Sequence, residues 1–336
     1  LGTGAVDSIT TGDYNVGVGD NALTACISGS NNTANGYQAL FSNTTGYDNT
    51  AVGHLALFTM TTGYRNVAIG KDAMRTSVAG VYSVAIGYEA LKTANAGSET
   101  VAIGAWASKN TTTGGANVSI GYTAGQGITT GINNVCLGSM AGVYNAAIGR
   151  GATLTTGSNN VLIGKGVLPV GAGDTGAHGL GYDMECAAGY TTLGYNANDI
   201  RAAHGTASWA TVSDRRYKKD IVASTVGLSF VNALQPRTFK YKTLGELPTT
   251  FHAYKADSTE VFKNSNTNHG FIAQEVKAAI DADSSIKDGF RMWDDREDGS
   301  QEVAEAALIP VLVKAIQELS SKIDSQQLEI NTLKGA

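Results

Sequence analysis

Between about residues 10 and 170 the chain repeats one short apolar motif in which a small residue stands between two larger ones, as in Asn66-Val67-Ala68-Ile69-Gly70. In an extended strand Val67 and Ile69 share one face and Ala68 points to the other. The glycines that close these motifs are Gly19, Gly36, Gly53, Gly70, Gly87, Gly104, Gly121, Gly138, Gly149 and Gly164, spaced seven times by 17 residues and then by 11 and 15. A fixed period of this length is the mark of a solenoid. Another glycine lies seven residues before each of them, from Gly12 to Gly157, so the changes in period fall in the other arm of the unit. Asparagine stands four before the closing glycine in eight units, Asn15, Asn49, Asn66 and Asn117 among them, with Ser83 and Thr100 in the other two. Asn and Gly together suit tight corners with φ > 0, which is the role expected for them here.

The small middle position holds Gly17, Ala34, Ala51, Ala68, Ala85, Ala102, Ser119, Cys136 and Ala147, and only Leu162 breaks the series. An alanine three residues after the glycine, often followed by Leu or Met, predicts a second short strand, making each unit a two-strand coil. Ten such coils at ~4.8 Å each would stack to roughly 48 Å. A coil this small cannot bury its apolar face alone, and a repeated small-residue face invites neighbouring chains to approach closely. The expectation is a mainly β fold: a trimeric parallel β-roll or β-solenoid of 17-residue repeats. The pattern resembles the head repeats of trimeric autotransporter adhesins, with units of the form Asn-x-Ala-x-Gly-x-x-Ala, which also occur in phage tail fibres.

Paired threonines, such as Thr44-Thr45, Thr61-Thr62 and Thr129-Thr130, suggest an ice-binding or ligand ladder, but adjacent strand residues face opposite ways and cannot form a flat array. Turn chemistry accounts for them better. Over 171–212 the register is lost, and segments such as His178-Gly179-Leu180-Gly181-Tyr182 read as decayed coils or the cap a solenoid needs. His178, Cys186 and His204 have no metal-ligand spacing and are expected to serve packing or surface roles, and His54 to sit at an exposed corner. The domain reading is therefore 1–170 solenoid, 171–212 cap, and 213–336 a second body.

That second body has a different pattern. Leu228 to Leu234 reads as a short helix stopped by Pro236, Arg237 to Lys242 as an alternating strand, and Gly270 to Val276 as the opening of a helix. A long helix is expected from about 302 to 334, with Ile309, Leu312, Ile316, Leu319, Ile323, Gln326, Ile330 and Leu333 at alternating spacings of three and four. This is a coiled-coil seam, and its single polar member, Gln326, is a common device for fixing register. Packing of this helix on its own domain is the alternative. A three-fold axis shared with the solenoid favours a small α+β domain ending in a trimeric coiled coil.

Composition sharpens the division: 36 of the 42 glycines precede residue 213, whereas 34 of the 53 charged residues follow Val212. Neither part has a basic excess, which argues against nucleic acid as a partner. No apolar run is long enough for a membrane span, and the start at Leu1 has neither signal peptide nor anchor, as expected of a fragment or processed product. Cys26, Cys136 and Cys186 fit neither a disulfide framework nor a zinc set, so they are read as small buried hydrophobes. Neither cofactor nor metal is predicted. The acidic residues of the repeat show no recurring carboxylate pair of the kind glycoside cleavage uses.

Ser213 through Ile221 reads SDRRYKKDI, an abrupt run of charge where the glycine-rich part ends. Together with LQPRTFKYK, GFIAQEV and LIPVLVKAIQEL, in that order over about 208–336, it resembles the endosialidase-type intramolecular chaperone, a self-cleaving serine peptidase family at the ends of phage tail spikes and fibres. The resemblance implies cleavage between Val212 and Ser213, with Ser213 as nucleophile, Lys218 as its base, and Asp214 and Arg216 completing the motif. The chemistry is consistent, since a serine needs a base and a lysine serves only when neutral, a state favoured by burial and by positive neighbours such as Arg215, Arg216 and Lys219. A five-residue offset does not share a helix face, so the segment is expected to be a loop or to receive its base from a neighbouring chain. His269, Gln274 and Glu275 are supporting candidates, with helix capping as their alternative role.

The expected protein is a phage tail fibre or tailspike component in the virion tail, made in the host cytoplasm. Its expected partners are two further copies of itself, other tail proteins, and a host-cell surface receptor or glycan. The rivals are a depolymerase of surface polysaccharide and a non-cleaving trimeric adhesin; a self-releasing transcription factor would need a basic DNA-reading fold and a membrane span.

Overall fold

A computed structural model describes residues 2–94, 99–144, 151–206, 209–210, 213–283, 286, 290, 292–296 and 298–335. The chain divides into two compact units, Leu1–Asp214 and Arg215–Ala336. In the first, each apolar motif forms one three-residue rung: β1 Val16–Val18, β2 Thr33–Asn35, β3 Thr50–Val52, β4 Val67–Ile69, β5 Val84–Ile86, β6 Val101–Ile103, β7 Val118–Ile120, β8 Val135–Leu137 and β9 Val161–Ile163. Successive rungs pair parallel and in register, Val67 beside Val84 and Ala68 beside Ala85, so equivalent repeat positions stack in columns. This is the parallel β-solenoid expected from the period.

From β8 the ladder passes directly to β9, with Val135 beside Val161. The Gly149 motif falls on residues 145–150, which lie outside the described residues, and equivalent positions here are 26 residues apart. Beyond β10 (Leu168–Pro169), strand β11 (His178–Tyr182) pairs parallel with β9. After β12 (Glu185–Cys186), strand β13 (Tyr190–Tyr195) pairs parallel with β11, and β14 (Asn198–Ala203) then runs back antiparallel along β13. The degenerate repeats thus continue the ladder before reversing it.

Two readings of the repeat are corrected by the backbone. Leu40, Leu57, Met74 and Leu91, just after the recurrent alanine, have φ of 50° to 52°, which no strand tolerates. They form turns, although the Leu57 N–H still donates to the Ala73 carbonyl of the next coil at 3.0 Å. The expected second strand is therefore a stacked turn. Asparagine four before the glycine is not a corner residue either; its side chain points inward. Asn66 Nδ2 donates to the Asn49 Oδ1 one coil earlier and to the Gly80 carbonyl, at 3.1 and 2.7 Å, and Asn66 Oδ1 accepts the Ser83 N–H at 3.0 Å. Asn15, Asn32 and Asn49 repeat this arrangement, as do Asn117, Asn134 and Asn160, satisfying backbone groups that the interior would otherwise strand.

The small-residue face is also the reverse of what was expected. Ala34, Ala51, Ala68, Ala85 and Ala102 are wholly buried inside the single chain, packed with Leu40, Leu57, Met74 and Leu91. With these leucines and methionine filling the interior opposite them, the inward rung positions are mostly small, and the β-branched residues point outward; Val16, Val18, Ile69 and Ile120 are 38–52% exposed. The first threonine of each pair works in a turn, as Thr44 Oγ1 donates to the Thr61 carbonyl at 3.1 Å. Cys26, Cys136 and Cys186 are fully buried, and burial pushes the Cys136 and Cys186 thiols up to about 12, which keeps them protonated.

The second unit holds α1 (Leu228–Ala233), the antiparallel pair β15 (Arg237–Phe239) and β16 (Asn268–Gly270), α2 (Ala273–Ala282), the pair β17 (Trp293–Asp295) and β18 (Gln301–Val303), and α3 (Leu308–Lys334). Phe230, Val276, Ile280, Met292, Leu308 and Val311 form its core. The final helix starts later than expected. Residues 301–303 are a strand, and the Pro310 ring would clash with a helical carbonyl four residues earlier, whereas in the first turn its missing N–H costs nothing. Helix α3 uses Leu308, Val311 and Ala315 against its own unit, while Ile309, Leu312, Ile316, Leu319, Ile323, Ile330 and Leu333 remain 42–77% exposed. Among the described residues, no helix is long and apolar enough to cross a membrane.

Replacing Asn49 by Ala should strand the Gly63 carbonyl and the Asn66 N–H, both bonded to its side chain. A loss of about 2–4 kcal/mol, read as a lowered midpoint in thermal or denaturant unfolding, is expected from two buried groups left unsatisfied. In the cap, His178 lies 4.6 Å from His204, ring to ring, and burial, aided by His204, holds its pKa below the usual imidazole range. The neutral ring is the form the fold favours, so its stabilisation is complete above about pH 6.5 and declines as pH falls through the lower folded pKa. Protection factors across β11 and β13, corrected for the intrinsic exchange rate at each pH, should fall between pH 7 and 5, and His178→Gln should flatten that response.

Candidate self-cleavage site

The charged run leaves the solenoid as an exposed, irregular segment with one 3-10 turn at Arg215–Tyr217, where the Lys218 N–H donates to the Arg215 carbonyl at 3.0 Å. This agrees with a loop rather than a continuous helix. Ser213, Arg216 and Lys218 are exposed in the single chain and Asp214 is half-buried. Ser213 and Asp214 belong to the first unit and Arg216 and Lys218 to the second. Val212, the other side of the expected scissile bond, lies outside the described residues.

Of the supporting candidates, Gln274 and Glu275 sit on the first turn of α2, immediately after the Gly270-Phe271-Ile272 segment, and His269 on β16. Glu275 forms a two-pronged pair with Arg237 of β15, Arg237 Nε to Oε2 at 3.0 Å and the terminal guanidinium nitrogen to Oε1 at 2.7 Å. Hydrogen bonding to Arg237 holds the Glu275 carboxyl below its usual range. Glu275 therefore ties strand to helix, and no side chain caps α2. Gln274 lines a cavity of about 860 Å³ whose wall includes Phe239, Tyr241, Phe262, His269 and Phe271. His269 reaches it from β16, opposite Thr238 in the ladder. The arrangement brings Gln274 and His269 to one cavity and commits Glu275 to Arg237.

Sequence reading missed two contacts that order this unit. Arg237 stands within the LQPRTFKYK stretch, but its carboxylate partner is 38 residues away, and nothing in the spacing announces the pair. At the start of α1, where Gly227 offers no side-chain cap, Glu318 from α3 accepts the Leu228 N–H at 2.9 Å. A Cβ on Gly227 would stand 2.6 Å from that carboxylate, so the glycine makes room for its own cap. Among the described residues, no group of three or more His, Cys, Asp or Glu side chains could hold a metal ion.

A family model described as the chaperone of endosialidase matches residues 213–284, beginning at Ser213. The match supports a domain similar to the chaperone of endosialidase over these residues, and at family level such domains are self-processing intramolecular chaperones. No curated protein and no solved structure matched the chain.

Glu318→Ala should weaken the second unit by about 1 kcal/mol, the usual scale for losing a helix cap. The solenoid should keep its own melting transition. Gly227→Ala should produce a comparable loss by displacing the same carboxylate, and both effects can be read from the unit-specific phase of a denaturant titration.

Proposed function

We propose that this chain is a tail fibre or tailspike component of a bacteriophage, a homotrimer that serves host attachment and is assembled by a C-terminal chaperone that then cuts itself away. The observation that carries the reading is the domain match that starts at Ser213, where the SDRRYKKDI motif begins and the solenoid ends. Two exposed apolar surfaces support trimer formation. One is the outward face of the ladder, mostly Val and Ile from β4 to β9 and interrupted by Thr33, Asn35 and Thr50 in β2 and β3, which replaces the small-residue face as the surface offered to other copies. The other is the Ile309 to Leu333 seam of α3, exposed along a helix that already uses a different side to pack on its own core. Three-fold symmetry would cover both surfaces at once.

In the proposed reaction, Ser213 Oγ attacks the Val212 carbonyl carbon while neutral Lys218 takes the hydroxyl proton. The Val212–Ser213 C–N bond breaks as the Ser213 nitrogen gains a proton, leaving Val212 joined to Ser213 by an ester. Water then opens the ester to a Val212 carboxylate and restores the Ser213 hydroxyl. Lys218 is exposed in the single chain, so the enclosure that favours its neutral form would come from assembly. Cleavage would thereby wait for a completed trimer, and tail incorporation would follow in the host cytoplasm.

Incubated full-length protein should resolve by intact mass into a product ending at Val212 and one beginning at Ser213. Ser213→Ala and Lys218→Ala should remain full length, each slowed ~10³-fold or more. Persistent intact wild-type chain in a proven trimer would remove self-cleavage and leave a trimerisation domain.

A further inference from the structure

In-register stacking turns each repeat position into a column, and the columns differ in chemistry. One residue after the closing glycine stand Tyr37, His54, Lys71, Tyr88, Ala105 and Tyr122; five residues after it stand Arg75, Lys92 and Lys109 in three consecutive coils. Five of the eight basic residues before residue 213 lie between Arg65 and Lys109. The basic residues are therefore concentrated on a few adjacent coils; Arg65 pairs with Asp48 and Arg75 with Asp72, which leaves Lys71, Lys92 and Lys109 as the cations beside the aromatic edge.

At coil six the pattern changes. Ala105 leaves a gap in the aromatic column, and Trp106, from the neighbouring column, fills it. Its ring lies 5.9 Å from Tyr88 and 5.4 Å from Tyr122, inclined by 70° and 60°. Elsewhere on the solenoid, Tyr37 with His54, Phe41 with Phe58 and Tyr47 with Tyr64 stack within 17° of parallel, spending their faces on one another, and the inclined pair of Tyr64 and Tyr82 has Arg65 over the Tyr82 ring. The inclined trio is not stacked in that way, and Tyr88 and Tyr122 are 42% and 52% exposed. Beneath it, the 7%-exposed Glu89 accepts the Trp106 indole N–H at 3.1 Å and pairs with Lys92 and Lys109, both at 2.6 Å. Hydrogen bonds from Lys109 and then Lys92 hold the Glu89 carboxyl down to about 2. One carboxylate thus fixes the indole and serves two ammonium groups, leaving net positive charge, with Lys71 Nζ 5.9 Å from the Tyr88 ring centre.

We infer that Tyr88, Trp106 and Tyr122, with Lys71, Lys92 and Lys109, form a binding platform for an acidic polysaccharide whose sugars carry carboxylates. The C–H faces of pyranose rings pack on inclined, half-exposed aromatic faces, and the carboxylates meet the cationic column. Coil spacing of ~4.8 Å offers successive contacts along an extended glycan. The inference rests on the attachment reading and gives it a location and a ligand class.

Affinity electrophoresis of the full chain through gels containing alginate, polysialic acid or neutral dextran tests the platform, with sedimentation velocity run on every sample. Retardation by a carboxylated polymer and not by dextran is expected, falling about tenfold in Trp106→Ala and, as a milder surface change, in Tyr122→Ala. Sedimentation should be unchanged in both. No retardation by either acidic polymer, equal retardation by dextran, or undiminished binding in both variants would overturn the inference. Equal retardation by single-stranded DNA would also overturn it, by making the patch a general polyanion surface. Failure here with cleavage and assembly intact would leave the chaperone reading standing; loss of assembly in wild type would show instead that the attachment reading itself had failed.

Discussion

A Cβ added to Gly70 would stand 2.4 Å from the carbonyl oxygen of Gly87, and at Gly36, Gly53, Gly87 and Gly104 the corresponding distances are 2.4–2.6 Å. These glycines also hold φ between 131° and 141°, so backbone conformation and space both reject a side chain. Coil rests on coil at backbone distance, and no slip of register is tolerated because every other residue would bring a Cβ into that contact. Columns follow directly. The internal asparagine ladder, the alanine interior and the turn threonines all bond or pack to their own equivalents, so each coil is satisfied chiefly by its neighbours.

The same constraint leaves surfaces uncovered. With the inward rung positions taken mostly by alanine, the residues on either side of them, Val or Ile in most rungs, face outward. The terminal helix repeats the situation, one side committed to Phe230 and Val276 and the other an exposed apolar seam. Two unrelated units thus share a need for apolar cover beyond what one chain provides. Columns also let a single substitution matter locally: Ala105 opens a gap that Trp106 occupies, and Glu89 one coil earlier fixes its indole.

Much of the fold was legible because a 17-residue period requires no knowledge of packing. Strand alternation, however, distinguishes two faces without saying which is inside. That is why Ala68 and Val67 were assigned to opposite environments but the chain-facing side was inverted. Asn66 was read by its turn propensity, whereas its side-chain bonds become visible only when Asn49 and Gly80 are brought beside it. The shortened period around Gly149 is visible in the sequence, whereas the pairing of β8 directly with β9 is not. In the second unit the Ser213 motif was conspicuous as a charge run. Arg237–Glu275 and Leu228–Glu318 were not, because each joins residues separated by tens of positions with no periodic relation.

The claim on which the account depends is that these exposed apolar columns are covered by further copies of the chain. Sedimentation equilibrium of the Ser213→Ala protein, which keeps both units in one polypeptide, tests it most directly. The account predicts a single species of about three times 34.7 kDa, unchanged over a wide dilution range. A species of 34.7 kDa with an intact solenoid circular-dichroism signal would contradict it.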